Sequence, residues 1–262
     1  LHLATSWNTK AEASFNNLYP TDRYKSLNYL WLNKAISEGW NLSILHISTG
    51  QTVTDSTNDL NFRHTTGFYT DYNHSNLFIT GNTYFQYGKN QAGKPVNAFL
   101  YAIDAVYKLD KFTPGIGISY HLGNSKSGIN LSEDNLFDLI FTARHKYFGF
   151  IDYFRTISSH TKQGGLADYY LYLDYKISKA VSLRNIGHYF HLAQTNPDTP
   201  SEKYLGYEND LVLKYKFSSW GALETGYMFF LPTNSMETMQ GVPDSKFSQF
   251  FYLQLTLTPN LF

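Results

Sequence analysis

Alternation of apolar and polar residues is the feature that most restricts how this chain can fold. In DYYLYLDYKI (Asp168–Ile177), the odd-numbered residues are tyrosine, leucine and isoleucine, whereas the even-numbered ones include Asp168, Asp174 and Lys176. Successive side chains of a β-strand point to opposite faces. As a strand, this stretch would therefore have one apolar, tyrosine-rich face and one charged face.

The same period of two recurs along the chain, and a helical period of 3.6 is not seen over any comparable length. The alternating runs are Leu1–Asn8, Tyr24–Ala35, Trp40–Thr49, Asn61–Tyr72, Asn76–Gly88, Ala98–Leu109, Thr113–Gly123, Asp168–Ile177, Val181–Ala193, Leu205–Phe217, Gly221–Phe230 and Phe247–Thr258. We therefore predict an all-β chain of about twelve strands, an even number as bacterial outer-membrane barrels require.

The connections between these runs alternate in length. The short ones are Ser37–Trp40, Tyr72–Ser75, Leu109–Pro114, Ile177–Ala180 and Ser218–Trp220, and the long ones are Gly50–Leu60, Lys89–Asn97, Asn124–Gly164, Asn196–Lys203 and Thr233–Lys246. Tight turns at one end and long loops at the other are typical of outer-membrane barrels. The pattern predicts one antiparallel transmembrane β-barrel domain over residues 1–262 in the bacterial outer membrane, with its short turns on the periplasmic side.

Composition agrees with this fold. Only 16% of the residues are charged, against roughly 25% in ordinary globular domains, and there are 22 tyrosines and 20 phenylalanines. No apolar run approaches the ~18 residues of a membrane helix. The absence of cysteine excludes disulfides and thiolate metal sites, and the net charge of +0 argues against a nucleic-acid partner. A soluble β-sandwich or lipocalin-like barrel is the alternative, but the tyrosines on the apolar faces and the sorted connections disfavour it.

The charged face of each strand supplies candidates for a hydrated lumen, where we expect cross-strand ion pairs. Buried in a dry core, such charges would each cost several kcal/mol unless paired. The candidates are Asp104, Lys108, Asp168, Asp174, Lys176, Arg184, His188, Glu208, Asp210, Lys214, Lys216 and Glu224.

The connection Asn124–Gly164 is too long for a plain hairpin loop and is predicted to be extracellular. Loops of this length are usually functional or disordered, and its aromatic residues, with strand-like alternation over Arg144–Phe154, argue against disorder. It either folds inward as a constriction or packs on the rim or against a partner. In the first case the side chains that select solutes would be Arg144, His145, Lys146, Asp152 and Arg155.

Three short motifs carry no convincing chemistry. GKNQAGK (Gly88–Lys94) lacks the spacing of a phosphate-binding loop and is predicted to be a hairpin tip. His188 and His191 fall on opposite faces of a strand and cannot share a metal there. LHISTG (Leu45–Gly50) resembles the core of outer-membrane phospholipase, with His46 and Ser48 on one outer face, although the polar pattern of that enzyme is missing after Gly50. We predict no catalytic residue, metal or cofactor.

Four stretches resemble the alginate export family of outer-membrane barrels, in particular its Bacteroidetes-type members. They are YKSLNYLWLNK (Tyr24–Lys34), YFQYGKNQAGKPVNAFLYAIDAVY (Tyr84–Tyr107), HKYFGFIDYF (His145–Phe154) and YLGYENDLVLKYK (Tyr204–Lys216). The resemblance implies a barrel of about eighteen strands that passes an anionic polysaccharide through a basic lumen. We expect two departures from the family: its N-terminal part would be missing here, and the candidate lumen charges are mixed.

The leading functional hypothesis is an outer-membrane channel, or porin-like protein, for a hydrophilic, saccharide-like solute. The second is a non-transporting accessory subunit of an outer-membrane protein complex, and a less favoured third is a lipid hydrolase. Expected partners are outer-membrane lipid and lipopolysaccharide, a saccharide solute and other outer-membrane subunits. The chain would either close as a twelve-stranded barrel, pairing its first strand with its last, or form part of a larger one.

Overall fold

The structure is a computed structural model that describes residues 1–7, 24–53, 59–127, 131–140, 148–242, 244 and 247–258. The predictions made for Asn8, Arg144, His145 and Lys146 fall outside the described residues.

Twelve antiparallel strands form one sheet in which neighbours in the chain are neighbours in space. The strands are β1 (His2–Trp7), β2 (Ser26–Ser37), β3 (Trp40–Thr52), β4 (Leu60–His74), β5 (Leu77–Lys89), β6 (Pro95–Tyr107), β7 (Phe112–His121), β8 (Leu166–Lys176), β9 (Val181–Leu192), β10 (Tyr204–Lys216), β11 (Gly221–Pro232) and β12 (Ser248–Leu257). Two short helices, α1 (Ile157–His160) and α2 (Asn234–Gln240), lie in connections. Neither of these described helices has the length or apolar character needed to cross a bilayer.

The predicted all-β antiparallel fold is confirmed, and each predicted run coincides with a strand to within a few residues. The agreement follows from the period of two in the sequence. Only in an extended strand do alternate residues lie on opposite faces. The strand-like reading of Arg144–Phe154 is wrong for its described part, because residues 148–154 form no strand. That part lies against the sheet instead of joining it.

The two faces of the sheet differ in polarity as predicted. Ile116 and Leu171, which pair across β7 and β8, are 59% and 54% exposed. Asp168 and Glu208 lie on the opposite face and are 0% exposed, because the long connection covers them. An exposed apolar face suits hydrocarbon and is costly in water, so the soluble alternative with an inward apolar face is wrong.

The connections are sorted by length between the two ends of the sheet. The short turns join β2 to β3, β4 to β5, β6 to β7, β8 to β9 and β10 to β11, so all of them lie at one end. The longer connections, including that from β7 to β8, lie at the other end. The assignment of the short turns to the periplasmic side stays a prediction.

The sheet has two free edges in the part of the chain that the structure describes. β1 pairs with β2, β12 pairs with β11, and no ladder joins β1 to β12. Of the two alternatives, the closed twelve-stranded barrel is therefore not what these residues form. Unpaired backbone groups cost several kcal/mol each in hydrocarbon, so both edges need partner strands in a membrane.

The long connection between β7 and β8 packs on the inner face, which is the face that carries Asp168 and Glu208. We call its described residues 131–140 and 148–164 the strap. Residues of the strap, the wall and α2 share one apolar cluster: Phe148, Phe154, Ile157, Leu166, Phe190, Leu192, Leu205, Phe230, Met236 and Met239. Inward folding, one of the two arrangements expected for this connection, is what the described part adopts.

Candidate solute site on the inner face

A buried ion pair anchors the first part of the strap to the wall. Arg63 of β4 donates to Asp134 Oδ2 at 2.8 Å and to Gln86 Oε1 at 2.9 Å, and the side chains of Arg63 and Asp134 are 9% and 11% exposed. Asn90 Nδ2 donates to the same Asp134 oxygen at 3.0 Å. Asp134 also forms a backbone bridge with Val96, at the start of β6. These contacts fix residues 131–140 against β4, β5 and β6.

Two inner-face carboxylates anchor the second part of the strap. The backbone N–H of Ile151 donates to Glu208 Oε1 at 2.9 Å, and that of Phe150 donates to Asp210 Oδ2 at 3.3 Å. Gly149 adopts a φ of 78°, and a Cβ there would overlap the Glu208 carboxyl group. A glycine is therefore required both for the left-handed backbone and for the close approach of the strap to β10.

His188 lies between two of the buried acids. Its Nδ1 is 2.8 Å from Asp168 Oδ2, and its Nε2 is 3.8 Å from Asp210 Oδ2. Asp168, Glu208 and Asp210 are all 0% exposed. The prediction that every inner-face charge meets a hydrated lumen is therefore wrong for these three acids, which have no exposed surface beneath the strap.

Two tyrosines of β8 extend over β7 towards β6. Tyr170 lies opposite Gly117 and Tyr172 opposite Gly115 in the β7–β8 register. A Cβ at either glycine would overlap the facing tyrosine ring, so the missing side chains make room for both rings. The Tyr172 hydroxyl consequently reaches β6 and donates to Asp104 Oδ1 at 3.1 Å.

Four of the other inner-face charges form two of the predicted cross-strand ion pairs. Arg184 of β9 holds Asp174 of β8 through two bonds, Nε to Oδ1 at 2.6 Å and Nη2 to Oδ2 at 3.0 Å. The same guanidinium lies over the Tyr172 ring, 5.4 Å from its centroid. On the next strands Lys214 Nζ lies 3.6 Å from Glu224 Oε2.

A cavity of about 520 Å³ lies between the strap and the wall of β4 to β10. Its polar wall residues are Tyr69, Thr80, Asn82, Asp104, Ser119, His121, Tyr170, Tyr172, Arg184, His188 and Asp210, and Phe148, Gly149 and Phe150 form its strap side. It thus combines aromatic rings with hydroxyl, amide and carboxylate groups, the mixture expected where a polar solute contacts a protein.

Only some of the predicted lumen-facing residues line the cavity. Asp104, Arg184, His188 and Asp210 line it. Lys108, Lys176 and Lys216 are exposed at the short-turn end and do not. On the strap, Asp152 is half-buried and Arg155 is exposed, and neither lines the cavity, whose strap side is residues 148–150. The role of Asp152 and Arg155 in a constriction stays a prediction.

Prediction from the sequence missed the neutral polar residues of the cavity because it selected charged residues as candidates. The available signal was the pair of glycines two apart in β7, together with the pair of tyrosines two apart in β8. Glycine within a strand often marks a close approach of another group, and here the approaching groups are the two tyrosine rings.

Two of the three short motifs lie where the sequence predicted them. Asn90 N–H donates to Lys94 O at 3.0 Å, which makes GKNQAGK a hairpin tip. His188 faces inward, whereas His191 packs on Tyr169 of the outer face. His46 Nδ1 lies 2.7 Å from Thr66 Oγ1, so the pairing that the structure gives His46 is with β4 and not with Ser48. Among the described residues, no group of three or more His, Asp or Glu side chains could hold a metal ion.

Comparison with known proteins supports the fold. No family model and no curated protein matches the sequence. The outer membrane protein OprD from Pseudomonas aeruginosa is similar in structure, with a TM-score of 0.56 and 14% identity over 90% of this chain and 60% of that one. This chain has the fold of an outer-membrane β-barrel. The Y282R/D307H form of OccD1 (OprD) is equally similar, with a TM-score of 0.56, 13% identity and coverage of 90% and 61%.

The chain spans about three fifths of the length of these solved proteins, given coverages of 61% and 60%. Their fold and the exposed apolar face of the sheet support the predicted location in the bacterial outer membrane. They support the broader prediction of an outer-membrane barrel, and membership of the alginate export family in particular stays a prediction.

Proposed function

We propose that this chain forms the wall of an outer-membrane channel that passes a hydrophilic, saccharide-like solute. The observation that supports it is the cavity of about 520 Å³ between strap and wall, lined by tyrosine rings, hydroxyls and amides. This volume falls within the roughly 300–1,000 Å³ of small-molecule sites. A wet inner face behind an apolar outer face is the arrangement of porin-type barrels.

The cavity offers the groups that a sugar needs. The rings of Tyr69, Tyr170 and Tyr172 provide flat apolar surfaces that suit the C–H faces of a pyranose, and each ring ends in a polar hydroxyl. Thr80, Asn82 and Ser119 provide donors and acceptors for its hydroxyls. The described inner-face charges are of both signs, and Arg184 already holds Asp174, so these residues give no particular support to the anionic polysaccharide implied by the alginate export resemblance.

We further propose that the sheet is part of a larger barrel in the membrane. Its two edge strands are unpaired with each other in the described residues, and the chain covers 60% of OprD. Additional strands that pair with β1 and β12 would remove both edges from lipid, as a spanning sheet requires.

A non-transporting accessory subunit is the second candidate. The apolar cluster around Phe154, Phe190 and Phe230 fills the inner side next to the cavity, and a filled interior favours a structural role. In that case the partners would be other outer-membrane subunits, with lipid and lipopolysaccharide around the outer face.

Reconstitution of the full-length protein distinguishes the two candidates. For a channel, we expect discrete conductance steps in planar bilayers and swelling of proteoliposomes in neutral mono- and disaccharides. Tyr170→Ala should change the rate of sugar entry, whereas Tyr175→Ala, which alters the outer face of the same strand, should leave it unchanged. An intact, folded protein with neither conductance nor swelling would contradict the channel and favour the accessory role.

A further inference from the structure

Asp104 is held in place by side chains from two strands away. Its register partners are Thr80 on β5 and Gly117 on β7. Because Gly117 and Gly115 have no side chains, the rings of Tyr170 and Tyr172 extend over β7, and the Tyr172 hydroxyl donates to Asp104 Oδ1 at 3.1 Å. The carboxylate is half-buried and lines the cavity, so one of its oxygens is fixed while the group remains accessible to a solute.

The other described charges next to the cavity are either paired or without exposed surface. Arg184 and Asp174 neutralise each other through their two-bond pair. Asp168, Glu208 and Asp210 have no exposed surface beneath the strap, and His188 lies among them. Within the described residues, no Lys, Arg or His nitrogen lies within ion-pair distance of Asp104. Among the described residues, Asp104 is therefore the accessible carboxylate of the cavity that has no ion-pair partner.

We propose that Asp104 is the selectivity-determining residue of the channel, which favours neutral and cationic solutes and disfavours anionic ones. This inference rests on the proposed channel function. A fixed elementary charge about 6 Å from a permeating ion changes its local concentration about threefold even at the dielectric constant of water. The effect is larger where low-dielectric walls confine the field.

The inner face also provides a matched control. Glu224 of β11 resembles Asp104 because it accepts a tyrosine hydroxyl, that of Tyr252, at 2.8 Å. It differs because Lys214 lies 3.6 Å away, and because it does not line the cavity. Asp104→Asn and Glu224→Gln therefore each remove one negative charge that accepts a tyrosine hydroxyl. Only the Asp104 charge lines the cavity.

The test is the reversal potential of the full-length protein in a planar bilayer under a KCl gradient, for the parent protein, Asp104→Asn and Glu224→Gln. We expect a cation-selective parent, a fall of about threefold or more in the K⁺/Cl⁻ permeability ratio for Asp104→Asn, and little change for Glu224→Gln. Proteoliposome uptake of glucosamine, glucose and glucuronate, which are similar in size, should rank in that order and converge in Asp104→Asn.

The possible failures are distinguishable. Conductance with an unchanged permeability ratio in Asp104→Asn, or with an equal fall in Glu224→Gln, would overturn the role of Asp104 and leave the channel intact. Faster entry of glucuronate than of glucosamine in the parent would also overturn it. Absence of any conductance or uptake in a folded protein would overturn the channel itself, and the selectivity assignment with it.

Discussion

Breaking the Arg63–Asp134 pair should detach the first part of the strap from the wall without unfolding the sheet. Asp134→Ala leaves the Arg63 guanidinium nearly buried, with Gln86 Oε1 and Leu136 O as its remaining acceptors. Removing one partner of a buried pair costs about 3–5 kcal/mol. The ladders of β4 with β3 and β5 do not depend on this pair, so the cost should fall on the contact between strap and wall.

Hydrogen exchange of the reconstituted protein measures this cost at individual amides. The amide of Asp134 donates to Pro95 O at 2.8 Å, and that of Phe137 donates to Leu122 O at 3.0 Å. A loss of about 3 kcal/mol should accelerate their exchange about a hundredfold. The amide of Ile151, at the second anchor, should exchange at nearly its original rate and serves as the internal control.

The paired replacement Arg63→Met with Asp134→Leu tests the reasoning. Replacing both members of a buried ion pair by apolar residues of similar size is often close to neutral. We therefore expect exchange in the double variant to be slower than in Asp134→Ala. If the strap amides exchange at the parent rate in Asp134→Ala, the pair does not hold the strap. The same conclusion follows if the free-energy losses of the two single variants simply add in the double variant.

Three further predictions concern the sheet. An impermeant amine label applied to intact cells should fail to reach Lys179 in the β8–β9 turn, while a cysteine at Asp198, in a long connection, should react with a thiol label; labelling of Lys179 would reverse the orientation. Leu171→Arg, on the outer face, should destabilise the protein in lipid by about 2–4 kcal/mol, measured by urea unfolding in vesicles, and a negligible effect would argue against lipid contact there. Ser48→Ala should match the parent in a phospholipid hydrolysis assay, and an activity lost in this variant and in His46→Ala would establish the hydrolase.

The strands could be predicted because their signal is local. In Asp168–Ile177 the period of two assigns each side chain to a face whatever the rest of the chain does. Leu171 accordingly lies on the exposed outer face and Arg184 pairs across the strands with Asp174.

The strap could not be predicted because its contacts are distant in sequence and partly made by the backbone. The amide of Ile151 binds Glu208, and an amide has no residue-specific signature. The burial of Glu208 and Asp210 follows from that contact, so alternation placed both acids on the inner face but not beneath a cover. The contact of Tyr172 with Asp104 across Gly115 could not be predicted either, since the role of the two glycines depends on the register of β7 and β8.

The order of strands in the sheet has a consequence for how the molecule folds. Every strand pairs with its chain neighbours, so the wall can grow one hairpin at a time with short loop closures, which are the rapid ones. The contacts of the strap with Asp210 and Glu208 join residues 60 and 57 positions apart and can form only after β10 has been added. The inner carboxylates are therefore still in water when the wall assembles, and they lose their hydration in a late step, when the amides of the strap replace part of it.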